Sequence, residues 1–155
     1  MGRVAIRPAG LRADRSFAEA GRQVIRARTD ELFAHVEGVL DIDHPANLHD
    51  MRVATRRLRA GLEVFATCFS REEHDAVLSE VKVLADALGK RRDCDVQLEL
   101  LAQLREEVTR SERVAIKSLT KQLHQEQRKA NRRLARALGV VERNDLARRL
   151  QRFAA

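Results

Sequence analysis

The chain has no tryptophan, no tyrosine and only five phenylalanines in 155 residues. Proteins that hold single-stranded nucleic acid stack its bases on aromatic rings. Phe33, Phe65 and Phe69 fall on apolar helix stripes, which leaves almost nothing to stack on. Proline is scarce, at Pro8 and Pro45 alone, so long helices are permitted nearly everywhere. β-branched residues rarely alternate with polar ones, and no strands are expected. The two cysteines, Cys68 and Cys94, form no C-x-x-C pair, so neither a disulfide framework nor a zinc cluster is expected. His44 and His49 lack helical ligand spacing and have no Cys or carboxylate cluster beside them; no metal and no cofactor are expected. No apolar run approaches the roughly 18 residues of a membrane span, and the N-terminus has no apolar signal core. Reduced thiols and a cytoplasmic location follow as the expectation.

What the chain does have is helix-forming residues and positive charge. Ala, Leu, Arg, Glu and Gln dominate, and all favour helix. An apolar fraction of 44% is ordinary for a folded protein. The length suits one domain with a real core. The fold class is all-α, an antiparallel helical bundle of about six helices. The formal net charge is +7, which points to an acidic polymer or surface as partner. The charge is uneven: from Lys121 onward there are ten Lys/Arg and three acids, which equals the whole excess.

Residues 1–14 read as a flexible basic arm and 15–155 as a single helical domain. Ser16-x-x-Glu19 resembles a capping box and opens a first helix to about Leu40, with Ile25, Leu32, Val36 and Val39 inward. Asn47 is placed to cap a second helix to about Phe69. Ser70-x-x-Glu73 opens a third, which Gly89 ends. Lys90, Arg91 and Arg92 then form a basic turn, and Asp93 caps a fourth helix to about Val108. A fifth runs from about Glu112 to Leu138 with Ile116, Leu119, Leu123, Ala130 and Leu134 inward; Gly139 stops it. A short sixth covers about Asn144 to Phe153.

The second helix separates two chemistries. Met51, Ala54, Leu58 and Leu62 share one face. His49, Arg52, Arg56 and Arg59 share a stripe roughly opposite, with one acid, Glu63, at its end. Arginine suits planar, bidentate contact with phosphate or carboxylate oxygens. The stripe reads as an anion-binding surface; the competing reading is a solvated face, or arginines paired with acids of neighbouring helices. Arg57 points sideways and fits either set. Lys117, Lys121, His124, Arg128, Arg132 and Arg136 make another cationic stripe on the fifth helix, and Arg22 and Arg26 a shorter pair on the first. Arg52-x-Ala54-x-Arg56-Arg57-Leu58 recurs as Arg128-x-Ala130-x-Arg132-Arg133-Leu134, an echo that in such a composition is as compatible with coincidence as with a repeat.

The run His49-x-x-Arg52-x-x-x-Arg56-Arg57-x-Arg59, followed by LGKRRDCDV at 88–96, resembles the CHAD domain, the conserved-histidine α-helical domain. The second segment is similar to that family's Leu-Gly-x-x-Arg-Asp-x-Asp-Val. The resemblance implies a helical bundle whose basic surface binds inorganic polyphosphate, a binder rather than an enzyme. Such domains are associated with polyphosphate granules and often accompany a triphosphate-tunnel enzyme domain, for which this chain has no room. It implies His49, Arg52, Arg56, Arg57 and Arg59 as polyphosphate contacts and gives Arg92 more weight than its neighbours; Lys90 of the basic turn, Arg22 and Arg26, and Lys121, Arg128 and Arg132 are further candidate contacts on charge pattern alone, the fifth-helix row fitting a solvated face equally well. The family usually has two similar halves, the second ending in an Arg-Tyr pair. This chain lacks tyrosine and resembles the first half, so a homodimer that supplies the other half is expected.

Three other classes compete with this reading. Duplex nucleic-acid backbone remains open on charge, without a clear helix-turn-helix. No nucleophile–base pair, metal motif or phosphate loop points to an enzyme. A structural helical adaptor, its arginines serving partner acids, is the fourth class.

Overall fold

The computed structural model describes Arg12 and residues 14–155. The basic arm expected at 1–14 therefore lies almost wholly outside the described residues. Five α-helices follow in order: α1 (Phe17–Phe33), α2 (Pro45–Val64), α3 (Arg71–Glu107), α4 (Arg110–Arg143) and α5 (Leu146–Phe153), with a 3-10 turn at Ala66–Cys68 between α2 and α3. There are no strands among the described residues.

The helix count differs from six because α3 does not stop at Gly89. Gly89 sits mid-helix, where a Cβ would meet nothing within 4 Å. A lone glycine costs a helix only about 1 kcal/mol relative to alanine. The helix formers on both sides and the packing of Leu84, Leu88, Arg91 and Asp95 outweigh that. The expected basic turn at Lys90–Arg92 is thus helical, and Asp93 is an exposed mid-helix residue rather than a cap. Gly139 is likewise passed through, and α4 runs on to Arg143.

The start signals are better realised. At α1, the Ser16 backbone N–H donates to Glu19 at 2.9 Å and the Glu19 N–H donates to the Ser16 hydroxyl at 3.2 Å. At α4, the Thr109 N–H donates to Glu112 at 2.9 Å, a box the sequence reading passed over. Ser70 donates to the Glu73 carboxylate at 2.8 Å but makes no cap bond to the backbone. Asn47 does not cap α2: Pro45 occupies its first turn, and the Asn47 amide donates to the Gly38 carbonyl at 3.4 Å. That link holds a turn in which Gly38 adopts φ +74°, and the turn is why α1 ends at Phe33 rather than near Leu40. Val36 is consequently exposed, while Val39 is buried from the loop.

Ile25, Leu32, Leu48, Met51, Leu58, Leu62, Leu84, Leu88, Leu134, Leu146 and Leu150 are fully buried in one cluster drawn from all five helices. α3 is the hub, packing against both α2 and α4; α1 packs on α2, and α5 closes the space between α1 and α4. Gly21 permits the close approach of α1 to Phe65 at the end of α2, since a Cβ there would lie 2.8 Å from the ring. Phe69 stacks on Phe153, and His74 is buried with Nε2 at 2.9 Å from the Leu62 carbonyl. At about 1.5 Å per residue, the 37 residues of α3 and the 34 of α4 greatly outrun the 20 of α2. Their joined ends project as a helical hairpin. Leu119, expected inward, is exposed there, and Leu123 is only half-buried. No helix of the described residues is long and apolar enough to cross a membrane.

Candidate polyanion-binding surface

The buried side of α2 comprises Leu48, Met51, Ala54, Thr55, Leu58, Gly61 and Leu62. That assignment fixes the helix phase, and the stripe His49, Arg52, Arg56 and Arg59 emerges on the flank that adjoins α3. His49 and Arg56 are exposed, and Arg52 is half-buried. None of these three forms an ion pair among the described residues. Arg59 does: its Nε donates to Glu63 at 2.9 Å, one turn on. The acid at the end of the stripe therefore neutralises its last member and leaves the first three with free donors.

Arg57 is removed from the stripe. It reaches across to α1 and donates to Glu31 at 2.5 Å, while Arg28 holds the other Glu31 oxygen at 2.6 Å. Glu31 is buried, so this is a brace between α1 and α2 and not an open contact for a ligand. Arg92, given weight by the sequence reading, donates to Glu99 at 3.1 Å and is half-buried. Arg26 closes α5 by donating to the Ala154 carbonyl at 3.0 Å. Arg22 lines a cleft between α1 and α5 with Arg152 and Phe153. Arg22 and Arg26 thus face α5, away from the α2 stripe, and the structure does not bring the two sets together.

Lys90 is exposed, but on the α4 side of α3. With Arg133 and Arg136 it rims a groove of about 380 Å³ floored by Val83, Ala87, Ala137 and Val140. Sequence reasoning separated these residues because it broke the helix at Gly89; with α3 continuous, Lys90 follows Val83 by two turns. On α4, Lys117, Lys121, His124 and Arg128 border an open concavity of about 590 Å³, and Arg132 continues the row. Lys121, Arg128 and Arg132 are exposed and make no ion pair among the described residues.

One charged residue lies far from where the sequence places it. Arg91, read as part of a basic turn, is fully buried and pairs with Asp95, whose Oδ1 also accepts from the Gln127 amide at 2.7 Å. The i,i+4 spacing of Arg91 and Asp95 was the available signal, legible only if α3 is uninterrupted. Cys94 lies beside this pair, and burial pushes its thiol up from the ordinary value. Among the described residues no three His, Cys, Asp or Glu gather in a way that would hold a metal ion.

The free cations can offer charge-assisted hydrogen bonds to several oxygens in a row. No curated protein matches the chain. The family model of the CHAD domain matches residues 23–155, from within α1 to the last residue of the chain. With its two motifs on α2 and α3 and its all-helical architecture, the chain belongs to the CHAD domain family.

Proposed function

We propose that this protein is a binding module for inorganic polyphosphate and not a catalyst. CHAD domains are associated with polyphosphate binding in general. The observation that carries the reading for this chain is the row His49, Arg52 and Arg56, an imidazole and two guanidiniums at helical spacing without an acid partner among the described residues, backed by a buried apolar face. Linear polyphosphate presents repeating oxygens and nothing else to recognise, so fixed guanidiniums suffice. Lys121, Arg128 and Arg132 on α4 extend the surface. Arg57, Arg59, Arg92 and Arg26 are engaged within the fold and contribute less.

A competition titration at near-physiological salt tests this, with long-chain polyphosphate against duplex and single-stranded DNA. The expected result is binding that DNA does not displace and that weakens steeply with salt, because several charges are neutralised together. Equal affinity for duplex DNA would replace the reading with a non-selective basic surface.

Self-association through the projecting hairpin is the second part of the proposal. Val96, Leu100 and Leu104 recur at four-residue steps on α3 and are exposed, beyond the stretch that α2 covers. A second copy of the chain would bury them. Light scattering is expected to show a dimer that Leu100→Glu dissociates; a monomer for the unaltered chain at high concentration would end this part.

A further inference from the structure

The groove that Lys90, Arg133 and Arg136 rim carries two chemistries. Its floor is apolar, and Val83 and Val140 stand 59% and 39% exposed on it. Its rim holds three cations that enter no ion pair among the described residues, against one acid, Asp86. A bare phosphate chain would use the cations and leave the valines in water. The complement to both is an apolar stripe set between acids, as on an amphipathic helix that lies in a groove between two others.

The projecting half of α3 presents such a stripe. Val96, Leu100 and Leu104 are exposed at four-residue steps. Asp93 stands three residues before the stripe and Glu107 three after it; both are exposed and enter no ion pair among the described residues. Glu99 is engaged by Arg92, and Glu106 offsets Arg105 in charge, which leaves the segment acidic. At about 1.5 Å per residue, the stripe is about 12 Å long and the α3 side of the groove, from Val83 to Lys90, about 10 Å. Steps of three, four and seven residues lead from Val83 through Lys90 and Asp93 to Leu100 and Leu104, so groove and stripe share one flank of α3. Because both lie on one continuous helix, the stripe cannot fold back into its own groove. Only a second copy can bring the two together.

We propose that the Val96–Leu100–Leu104 stripe of one chain seats in the Lys90–Arg133–Arg136 groove of a second copy, whose own stripe fills the first chain's groove. This rests on the self-association reading above and supplies its second surface. A two-fold axis between the two levels sets the paired α3 helices antiparallel and forms both contacts at once, so the pair closes as a dimer and does not grow into a filament. Burial of the apolar residues holds the contact, and the opposite charges at its edges select the partner.

Charge reversal with mixing tests this on the full chain, read by light scattering over a dilution series. Lys90→Glu/Arg133→Glu reverses the groove, and Asp93→Lys/Glu107→Lys reverses the ends of the stripe. All four side chains are exposed, so circular dichroism is expected to show unchanged helicity. Each variant alone is expected to dimerise at least about tenfold more weakly. An equimolar mixture of the two is expected to regain the unaltered affinity within about threefold, because both contacts of the mixed pair are complementary again. Arg71→Glu/Arg148→Glu, which reverses two exposed charges outside groove and stripe, is expected to dimerise as the unaltered chain does. A dimer that ignores the groove reversal overturns the proposal, and so does a mixture that fails to recover. An equal loss in the Arg71/Arg148 control also overturns it, since bulk charge would then be the cause. A monomer for the unaltered chain at high concentration would instead end the self-association reading itself.

Discussion

Arg91 and Asp95 form a buried ion pair one turn apart on α3, near the level where the antiparallel α2 begins and the α3–α4 hairpin projects past it. The pair is incompletely satisfied: Nε and Nη2 of Arg91 and Oδ2 of Asp95 are buried without a protein partner. Taking charges out of water costs more than their attraction returns unless every lone pair and proton is matched. Removal of one partner leaves the other buried and alone. Asp95→Ala is therefore expected to destabilise the fold by about 3–5 kcal/mol, whereas the double change Arg91→Leu/Asp95→Leu is expected to cost far less. Urea titrations of Arg91→Leu, Asp95→Leu and the double variant check this, beside Asp95→Ala. Additive losses would show that the pair does not act as a unit.

Arg52, Arg56 and Arg57 lie within six residues of one another and should behave differently. Arg52→Ala and Arg56→Ala are expected to weaken polyphosphate binding by about 1–3 kcal/mol each, with melting temperature nearly unchanged. Arg57→Ala removes one of two donors from buried Glu31, and its main effect is expected on melting temperature. Calorimetric titration beside thermal melting separates the two patterns. Equal loss of stability in all three would mean that the α2 row holds the fold together and not a ligand.

Acid should act through the helix caps. The backbone N–H and then the hydroxyl of Ser16 hold the Glu19 carboxyl below its ordinary value. The Thr109 hydroxyl and then its N–H do the same for Glu112. A carboxyl lowered in the folded state contributes stability above its unfolded value and loses it as pH falls through the folded value. Stability is therefore expected to decline as pH drops below about 4.5, the ordinary value of a glutamate. Glu19→Gln/Glu112→Gln keeps an acceptor at each cap but removes the titration, and is expected to flatten that decline. An unchanged acid limb in circular dichroism would assign acid unfolding to other carboxylates.

Cys94 should be a slow nucleophile. Burial raises its thiol and outweighs the opposite pull of Arg91, so little thiolate exists near neutrality. Alkylation of Cys94 in a Cys68→Ser variant is expected to lag a free-thiol standard at pH 7.5 and to gain rate at higher pH than the standard does. A rate equal to the standard at pH 7.5 would contradict the burial.

The all-helical class, the two-faced character of α2 and the α1 cap were legible in the chain itself. Each depends on residues three or four apart, and helix geometry alone decides which of those share a face. The family was legible for the same reason, since its motifs at His49–Arg59 and Leu88–Val96 are local. Helix continuity at Gly89 and Gly139 was not, because a glycine's small local cost is outweighed by packing from residues far away in sequence. Nor was the division of the arginines. Arg52 and Arg57 look alike in sequence, yet Glu31 on another helix claims only Arg57. Arg91 and Arg92 are neighbours, yet one is buried against Asp95 and the other reaches Glu99. The sequence determined how much positive charge there would be and on which helices; the tertiary structure alone decided which charges are spent inside the fold, because an ion pair between helices exists only once packing has brought its two ends together.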